Sequence, residues 1–326
     1  MPIATVVVPA FNVASTLPET LEALLAQTFQ DFEIVIVDDG STDNTSEVAC
    51  AFATKTNVRI IKQMNRGLAG ARNSGIDAAQ GSLIGFCDAD DIWEPTKLQT
   101  HVQHLLDKPD VGISYSGSAM IDDDGYLLPQ TQSPRLHNVD ASHIFKRNPI
   151  GNGSAPVVRK SVFDAIAYRP SFEKERDWYF DETFRQSEDI ECWLRIALAT
   201  DWMFEGVPGL LTKYRINAGG LSAATDRQLA SWEKMVSKLS SRAPSFFATH
   251  ENAARAYQLR YLARRAISAL DAERAFELSI RSLRQSVRPI IEEPNKTLTT
   301  LAAATFLRFG GKQTLSAMLQ IRTARS

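Results

Sequence analysis

The sequence predicts an α/β protein built on a doubly wound, mixed but mostly parallel sheet, continued at its C-terminus by an all-helical extension. Three observations predict it. Over the first 90 residues short β-rich runs alternate with amphipathic helical segments, the pattern of βαβ units. From about residue 226 onward the periodicity is wholly helical. The charge divides at the same place: residues 227–326 hold 17 Lys/Arg against 7 Asp/Glu, leaving 19 against 31 for residues 1–226, an acidic body with a basic tail.

The elements follow in order. Thr5-Val6-Val7-Val8, Phe32 to Val37, Val58 to Ile61 and Leu83 to Cys87 read as strands, with helices at about 15–28, 43–54 and 68–79. In such sheets ligands bind beyond the carboxyl ends of the strands, so the residues just after each strand are the informative ones. Residues 111–119 read as a further strand, and Asp123-Asp124-Gly125 as a hairpin turn, because Asp-Gly tolerates positive φ. Residues 129–155 are rich in Pro, Gly, Asn and Ser and read as an irregular, substrate-facing connection. Ser187 is expected to cap a helix through about Ala199, followed by an extended segment to Tyr214-Arg215 and a loop containing Gly219-Gly220. Residues 252–269 and 271–287 read as an antiparallel helix pair, followed by shorter helices near 296–308 and 312–322.

Composition sets limits. At 326 residues, 44% hydrophobic and 23% charged, the chain has enough apolar material for a large core. It has no run near the roughly 18 apolar residues of a membrane span, and a cytoplasmic location is the default expectation. Cys50, Cys87 and Cys192 form no CxxC pair and are expected to be reduced core residues. His101 and His104 lie three apart on a helix but lack a third ligand nearby.

Each candidate motif has a structural account beside a chemical one. Asp88-Ala89-Asp90-Asp91 follows the fourth strand, where Asp88 and Asp90 would both reach one hard divalent cation and the diphosphate it bridges. Taken alone, such a short acidic triplet more often serves as a solvated acidic turn or as the cap of the helix near Pro95. In Asp38-Asp39-Gly40-Ser41-Thr42-Asp43, Gly40 suits a tight turn and Ser41 through Asp43 a cap, while an aspartate here would accept from a nucleobase imide. Asn65-Arg66-Gly67-Leu68-Ala69-Gly70-Ala71-Arg72-Asn73 joins a glycine loop to two arginines whose forks suit phosphate. Neither GxxxxGK[ST] nor GxGxxG is present, which argues against a P-loop and a Rossmann dinucleotide site. Ser187-Glu188-Asp189 places carboxylates at a helix start, where they complement the macrodipole or supply a general base.

Taken in this order, these segments resemble glycosyltransferase family 2 of bacterial type. Pro9-Ala10-Phe11-Asn12, the Asp38–Asp43 and Asn65–Asn73 runs, Gly81 through Asp91 with its DxD, Phe180-Asp181-Glu182, Glu188-Asp189 with Trp193-Leu194-Arg195, and Tyr214-Arg215 match its pattern over about residues 3–222. The resemblance implies a GT-A fold over 1–225, with a nucleotide-sugar half at about 1–110 and an acceptor half at about 111–225, before a helical extension at 226–326. It implies nucleotide-sugar contacts from Pro9, Ala10, Asn12, Asp39, Asn65, Gly70, Arg72, Asp88, Ala89 and Asp90, with Asp39 on the base and Asp90 on Mg²⁺ or Mn²⁺. Asp189 would be the catalytic base, with Asn152, Glu188, Trp193 and Arg215 on the acceptor side. Many relatives carry a metal-contacting histidine two residues after Tyr-Arg; Asn217 stands there in this chain.

The activity so implied is inverting transfer from a nucleotide-diphosphate sugar, with UDP the default nucleotide, to a glycan, lipid-linked or protein acceptor in bacterial surface glycan synthesis. Nucleic acid is not among the expected partners. The rivals are a sugar-1-phosphate nucleotidyltransferase, which would show a Gly- and Lys-rich loop after strand one, and a catalytically inactive binding scaffold. The basic tail, Arg255, Arg260, Arg264, Arg265, Arg274, Arg281, Arg284 and Arg288, suits either a packed or self-associating helical extension or peripheral contact with the inner membrane at its cytoplasmic face.

Overall fold

The computed structural model describes residues 1–216 and 225–310. They form two compact units, one of Met1–Ala141 and Pro149–Asn217, the other of Ser142–Asn148 and Ala218–Ser326. In the first, chain order runs β1 (Ala4–Ala10), α1 (Leu17–Leu25), β2 (Phe32–Asp38), α2 (Thr45–Phe52), β3 (Val58–Lys62), α3 (Gly67–Ala78), β4 (Leu83–Phe86), β5 (Ile92–Trp93), α4 (Lys97–Asp107), β6 (Val111–Ile121) and β7 (Leu127–Gln132). α5 (Ala141–Lys146) belongs to the second unit from Ser142 on, and the first resumes with β8 (Val157–Arg159), α6 (Lys160–Ile166), α7 (Glu188–Ala199) and β9 (Met203–Arg215). The second unit adds α8 (Thr225–Ser240), α9 (Pro244–Ser268), α10 (Ala272–Gln285), α11 (Arg288–Glu292) and α12 (Pro294–Phe309).

The sheet order is β3-β2-β1-β4-β8-β6-β9-β5, with β7 paired to β6. β1 lies between β2 and β4 and is parallel to both. The chain leaves β1 toward β2 and β3 on one side and returns to β4 on the other, so the switch point lies between β1 and β4, and their carboxyl ends open a crevice there. Antiparallel β8 then joins β4 to β6. Alternate residues of β1 serve opposite faces: Val6 and Val8 enter the core with Leu17, Leu21 and Leu24 of α1 and Ile34 and Ile36 of β2, while Val7 faces α3.

That second face explains Gly75. A Cβ there would stand 2.2 Å from Val7 Cγ1 and 2.8 Å from Cγ2. Val7 is fully buried and its branched side chain has little rotamer freedom, so it cannot yield. Overpacking costs about 1–3 kcal/mol, against about 0.5–1 kcal/mol gained by removing a mid-helix glycine. Gly75→Ala is therefore expected to destabilise the protein by about 1–2 kcal/mol, seen as a lower urea midpoint at unchanged slope.

Several segments depart from the sequence expectation. The irregular connection expected over 129–155 contains most of β7 and all of α5. β7 is an edge strand whose residues are mostly exposed, and polar Gln130, Thr131 and Gln132 hide its period. The six-residue α5 is held by Phe145, which stacks on Trp232 at 5.5 Å between ring centroids and meets Phe247 edge-on. β5 and β8, two and three residues long, are too short to carry a period. Ser187 was expected to cap α7 but sits at φ 59° in the left-handed region and makes no side-chain cap bond. Cys50 is exposed, whereas Cys87 and Cys192 are buried. His101 and His104 each bond Ser114 Oγ at 2.7 Å, a local use for both rings. The Asp123-Asp124-Gly125 turn stands, with Gly125 at φ +85° and Asp122 Oδ1 accepting from the amides of Asp124 and Tyr126.

In the helical unit, α9 starts eight residues before the expected 252, with Pro244 in its first turn and Phe247 buried. Leu259, Leu262 and Ala263 of α9 pack on Leu278 of α10, and Ala266, Ala275, Ala304 and Leu307 join α9, α10 and α12. Asp271 caps α10, accepting from the Arg274 amide. The helix expected at 312–322, the Gly219-Gly220 loop and Asn217 lie outside the described residues. Among the described residues no helix is long and apolar enough to cross a membrane.

Candidate active site

The carboxyl ends of β1, β2 and β4 carry the candidate residues of the three loops that follow them. Past β2, Asp39 is buried, and its Oδ1 accepts from Gln63 Nε2 at 2.6 Å and the Arg66 amide at 2.8 Å. Oδ2 accepts from the Gly67 amide at 2.8 Å, so the carboxylate faces the start of α3. Burial raises its pKa, against the amides and Gln63, which favour the charged form. A carboxylate oxygen takes about two donors, so these bonds fill Oδ1 and occupy half of Oδ2. Gly40, at φ +76°, turns the chain so closely that a Cβ would lie 2.9 Å from Asn65 N. Asn12, after β1 at φ 54°, accepts from the Thr42 amide at 2.8 Å and ties the two loops together. Pro9 and Ala10 are buried at the end of β1, and Asn65 is exposed.

Arg72 is the hub. It projects from α3, is 2% exposed, and donates to Asp88 Oδ1 at 2.9 Å and Glu188 Oε1 at 2.7 Å. The Phe86 and Phe180 rings lie 5.9 and 5.6 Å from its guanidinium carbon. Although burial opposes its charge, the Asp88, Glu188 and Asp189 carboxylates raise its pKa further. One side chain thus draws the turn after β4 and the first turn of α7 together. Burial pushes Glu188 up to about 7 despite Arg72, and Asp189 also lies above the ordinary aspartate range, by burial first and with Asp88 adding to it. Gly70 keeps α3 close to the 180–182 segment: a Cβ there would stand 2.4 Å from Arg66 Cβ and 3.3 Å from Glu182 Oε2.

Of the acidic turn itself, Ala89 and Asp91 are buried, while Asp88 and Asp90 are half-buried. Arg215 fixes its shape. The Arg215 amide donates to Asp91 Oδ1 and its Nε to the Asp90 carbonyl, both at 2.9 Å, and its other nitrogens reach the Asp122 and Asp123 carbonyls and Glu19. The resemblance puts Arg215, Asn152 and Trp193 on the acceptor side; the structure gives them internal duties. Asn152 is buried and bonds Ser118, Gln132 and the Ser154 amide. Trp193 is 1% exposed and meets Phe180 edge-on. Arg72, expected on the ribose or diphosphate, is engaged by carboxylates.

A sequence model of the family described as glycosyl transferase family 2 matches residues 5–167, half of the chain. The chain belongs to glycosyl transferase family 2. It is 26% identical over 236 residues to an uncharacterized glycosyltransferase of Rickettsia prowazekii, covering 72% of this chain and 70% of that one. A mannosyltransferase from Pyrobaculum calidifontis, solved with GDP-Man and Mn²⁺, is similar in fold with a TM-score of 0.57 at 20% identity, covering 95% of this chain and 88% of that one. TarS 1–349 of S. aureus, solved with UDP-GlcNAc, gives 0.53 at 18% identity, covering 94% and 81%. At these identities the structures speak for the fold, which is GT-A.

For a family 2 enzyme the donor set of the turn suits a hard divalent cation, because Asp88 and Asp90 offer only carboxylate oxygen. Among the described residues no three His, Cys, Asp or Glu side chains come together as a cage. Asp88 also spends Oδ1 on Arg72, so the protein supplies few ligands and a substrate would complete the shell.

Sequence reasoning missed the residues that aim this turn. Ser154 Oγ accepts from the Asp88 amide at 2.8 Å, and the Ser154 carbonyl accepts from Trp93 Nε1 at 3.0 Å. Gly153 lies so close that a Cβ would meet Arg72 Nη2 at 2.0 Å. Buried Lys97 donates to the Ala155 carbonyl at 2.8 Å and lies 4.9 Å over the Trp93 ring, and burial lowers its pKa to about 7. The signal available was Gly-Ser within a polar stretch, which names no partner.

Proposed function

We propose that this glycosyltransferase moves a sugar from a nucleoside-diphosphate sugar to an acceptor hydroxyl with inversion at the anomeric carbon. The observation that carries the reading is Arg72, bonded at once to Asp88 of the DxD turn and Glu188 at the start of α7, beside Asp189. Donor-holding and proton-accepting carboxylates thereby share one site.

In this reading Pro9, Ala10, Asn12, Asn65 and Asp39 line the nucleoside pocket, with the remaining acceptor capacity of Asp39 Oδ2 available to a base imide. Asp88, Ala89 and Asp90 lie along the ribose and diphosphate, and Gly70 and Arg72 support them from α3. Asp189 accepts the hydroxyl proton as the oxygen bonds to the anomeric carbon and the bond to the diphosphate oxygen breaks. Its raised pKa makes it a stronger base than an ordinary aspartate. Mg²⁺ or Mn²⁺ held by Asp90 and the donor phosphates would supply charge neutralisation of the leaving diphosphate.

The proposed donor nucleotide is UDP, in line with the UDP-GlcNAc of the TarS complex; guanosine belongs in the screen, given the GDP-Man of the Pyrobaculum enzyme. The acceptor proposed is a bacterial surface glycan or its lipid- or protein-linked precursor. The test is a donor screen for nucleoside-diphosphate release with wild type and Asp90→Ala; no release from any donor overturns the reading. Metal dependence is expected to follow substrate: EDTA abolishes turnover, and calorimetry shows Mn²⁺ binding at least about tenfold tighter with UDP than without it. Tight Mn²⁺ binding to the free protein would contradict the sparse ligand set.

A further inference from the structure

The helical unit concentrates positive charge where its carboxylates are too few. Lys146 and Arg147 at the end of α5, Arg260 on α9, Arg288 on α11 and Lys296 on α12 share two acidic partners. Glu292 meets Lys146 at 3.1 Å and Arg288 at 3.4 Å, and accepts from the Tyr257 hydroxyl at 2.7 Å. Glu293 pairs with Arg147, Arg260 and, at 3.3 Å, Lys296. The Tyr257 ring has the Arg147 guanidinium at 4.9 Å, that of Arg260 at 5.0 Å and Lys146 Nζ at 5.9 Å. Among the described residues five cations thus crowd around two carboxylates, and exposed Arg264 adds to the same field.

Among the described residues other arginines of the unit are better matched. Elsewhere in the unit Arg255 has Glu233 and Glu251, and Arg274 has Asp226 and Glu277. Burial first, and then the neighbouring cations Arg147 and Arg264, lower the pKa of Arg260 to about 10. Lys296 is lowered in the same way. The cluster has a floor and a rim: Arg260 is buried, while the Arg288 and Lys296 side chains are 64% and 55% exposed. Folding such an excess together is unfavourable unless an anion joins it.

We propose that this cluster binds a multivalent phosphoryl anion, a phosphate ester or diphosphate. Its oxygens can accept from guanidinium forks arriving from α5, α9 and α11 together, with Lys146 and Lys296 as point charges. A single carboxylate ligand would leave most of the excess unneutralised. The same chemistry reaches a protein as a soluble phosphate or on a lipid headgroup, and the two sources separate experimentally. The cluster's residues all belong to the helical unit, and none is among the proposed donor residues.

The test uses the full chain in EDTA, titrated with inorganic pyrophosphate by calorimetry, and floated with phosphatidylglycerol or phosphatidylcholine vesicles at fixed ionic strength. Wild type is expected to bind pyrophosphate, and Arg147→Ala and Lys146→Ala each to weaken it about tenfold or more, the loss of a charge-assisted bond. Glu293→Gln, which removes the competing carboxylate, is expected to tighten binding, and Arg274→Ala to leave it unchanged. Flotation with phosphatidylglycerol alone that Arg147→Ala abolishes assigns a headgroup; pyrophosphate binding without flotation assigns a soluble phosphate. Binding of neither probe by wild type, or equal binding by all four variants, overturns the proposal.

Discussion

Asp189→Asn is expected to lower kcat by roughly 10²- to 10⁴-fold while leaving UDP binding within about twofold of wild type. Asparagine keeps the shape of the side chain and removes its capacity to take a proton. Because the first turn of α7 is otherwise held by Glu188 on Arg72, the site should keep its form. The pH profile supplies the second readout. The ascending limb of kcat in the wild type should lie above the ordinary aspartate range, since burial raises Asp189. Asp189→Asn should lose that limb. Unchanged kcat would remove Asp189 from the chemistry, and loss of UDP binding with kcat intact would make it a donor residue.

Arg72→Met is expected to destabilise the sheet unit by about 3–5 kcal/mol, because it leaves Glu188 and Asp88 without their buried cation. The cost should depend on pH. The folded pKa of Glu188 is raised, to about 7 against an ordinary 4.5, so its favourable contribution is complete below about 4.5 and is lost as pH rises toward 7. Without Arg72 that pKa rises again, and the window of loss extends upward. The stability gap between wild type and Arg72→Met should therefore be smaller at pH 5 than at pH 8 by urea denaturation. A gap independent of pH would show that the Arg72–Glu188 pair is not what the substitution breaks. Arg72→Lys, which keeps the charge but loses the fork, should fold and yet release less nucleotide, because Asp88 and Glu188 are no longer bridged together.

What the sequence made legible was whatever a period or a strand end records. The four parallel strands and three helices of the first 90 residues follow from alternating patterns, and the switch point then locates Asn12, Asp39 and the Asp88–Asp91 turn at one rim. What stayed hidden depends on pairing in space. Arg72 and Glu188 are 116 positions apart, and Arg215 and Asp91 are 124 apart. The Tyr-Arg pair marked Arg215 as significant without showing that its fork grips four loop and helix positions. The resemblance puts Trp193 on the acceptor side, yet its indole is buried, because α7 turns that side to Phe180. β8, three residues long, has no period at all, although it joins the two halves of the sheet and delivers Ser154 to Asp88.

The excursion of α5 bears on how such enzymes diversify. Ile144 and Phe145 leave the sheet unit, and Phe145 stacks on Trp232 before the chain returns at Pro149. The chain therefore enters the helical unit twice, and no single joint separates the two. A deletion ending at residue 225 would strip an aromatic cluster of its cover and invite aggregation. A functional tail graft from a relative would have to bring its own version of residues 142–148, so the tail and this short insert are expected to be inherited as one cassette.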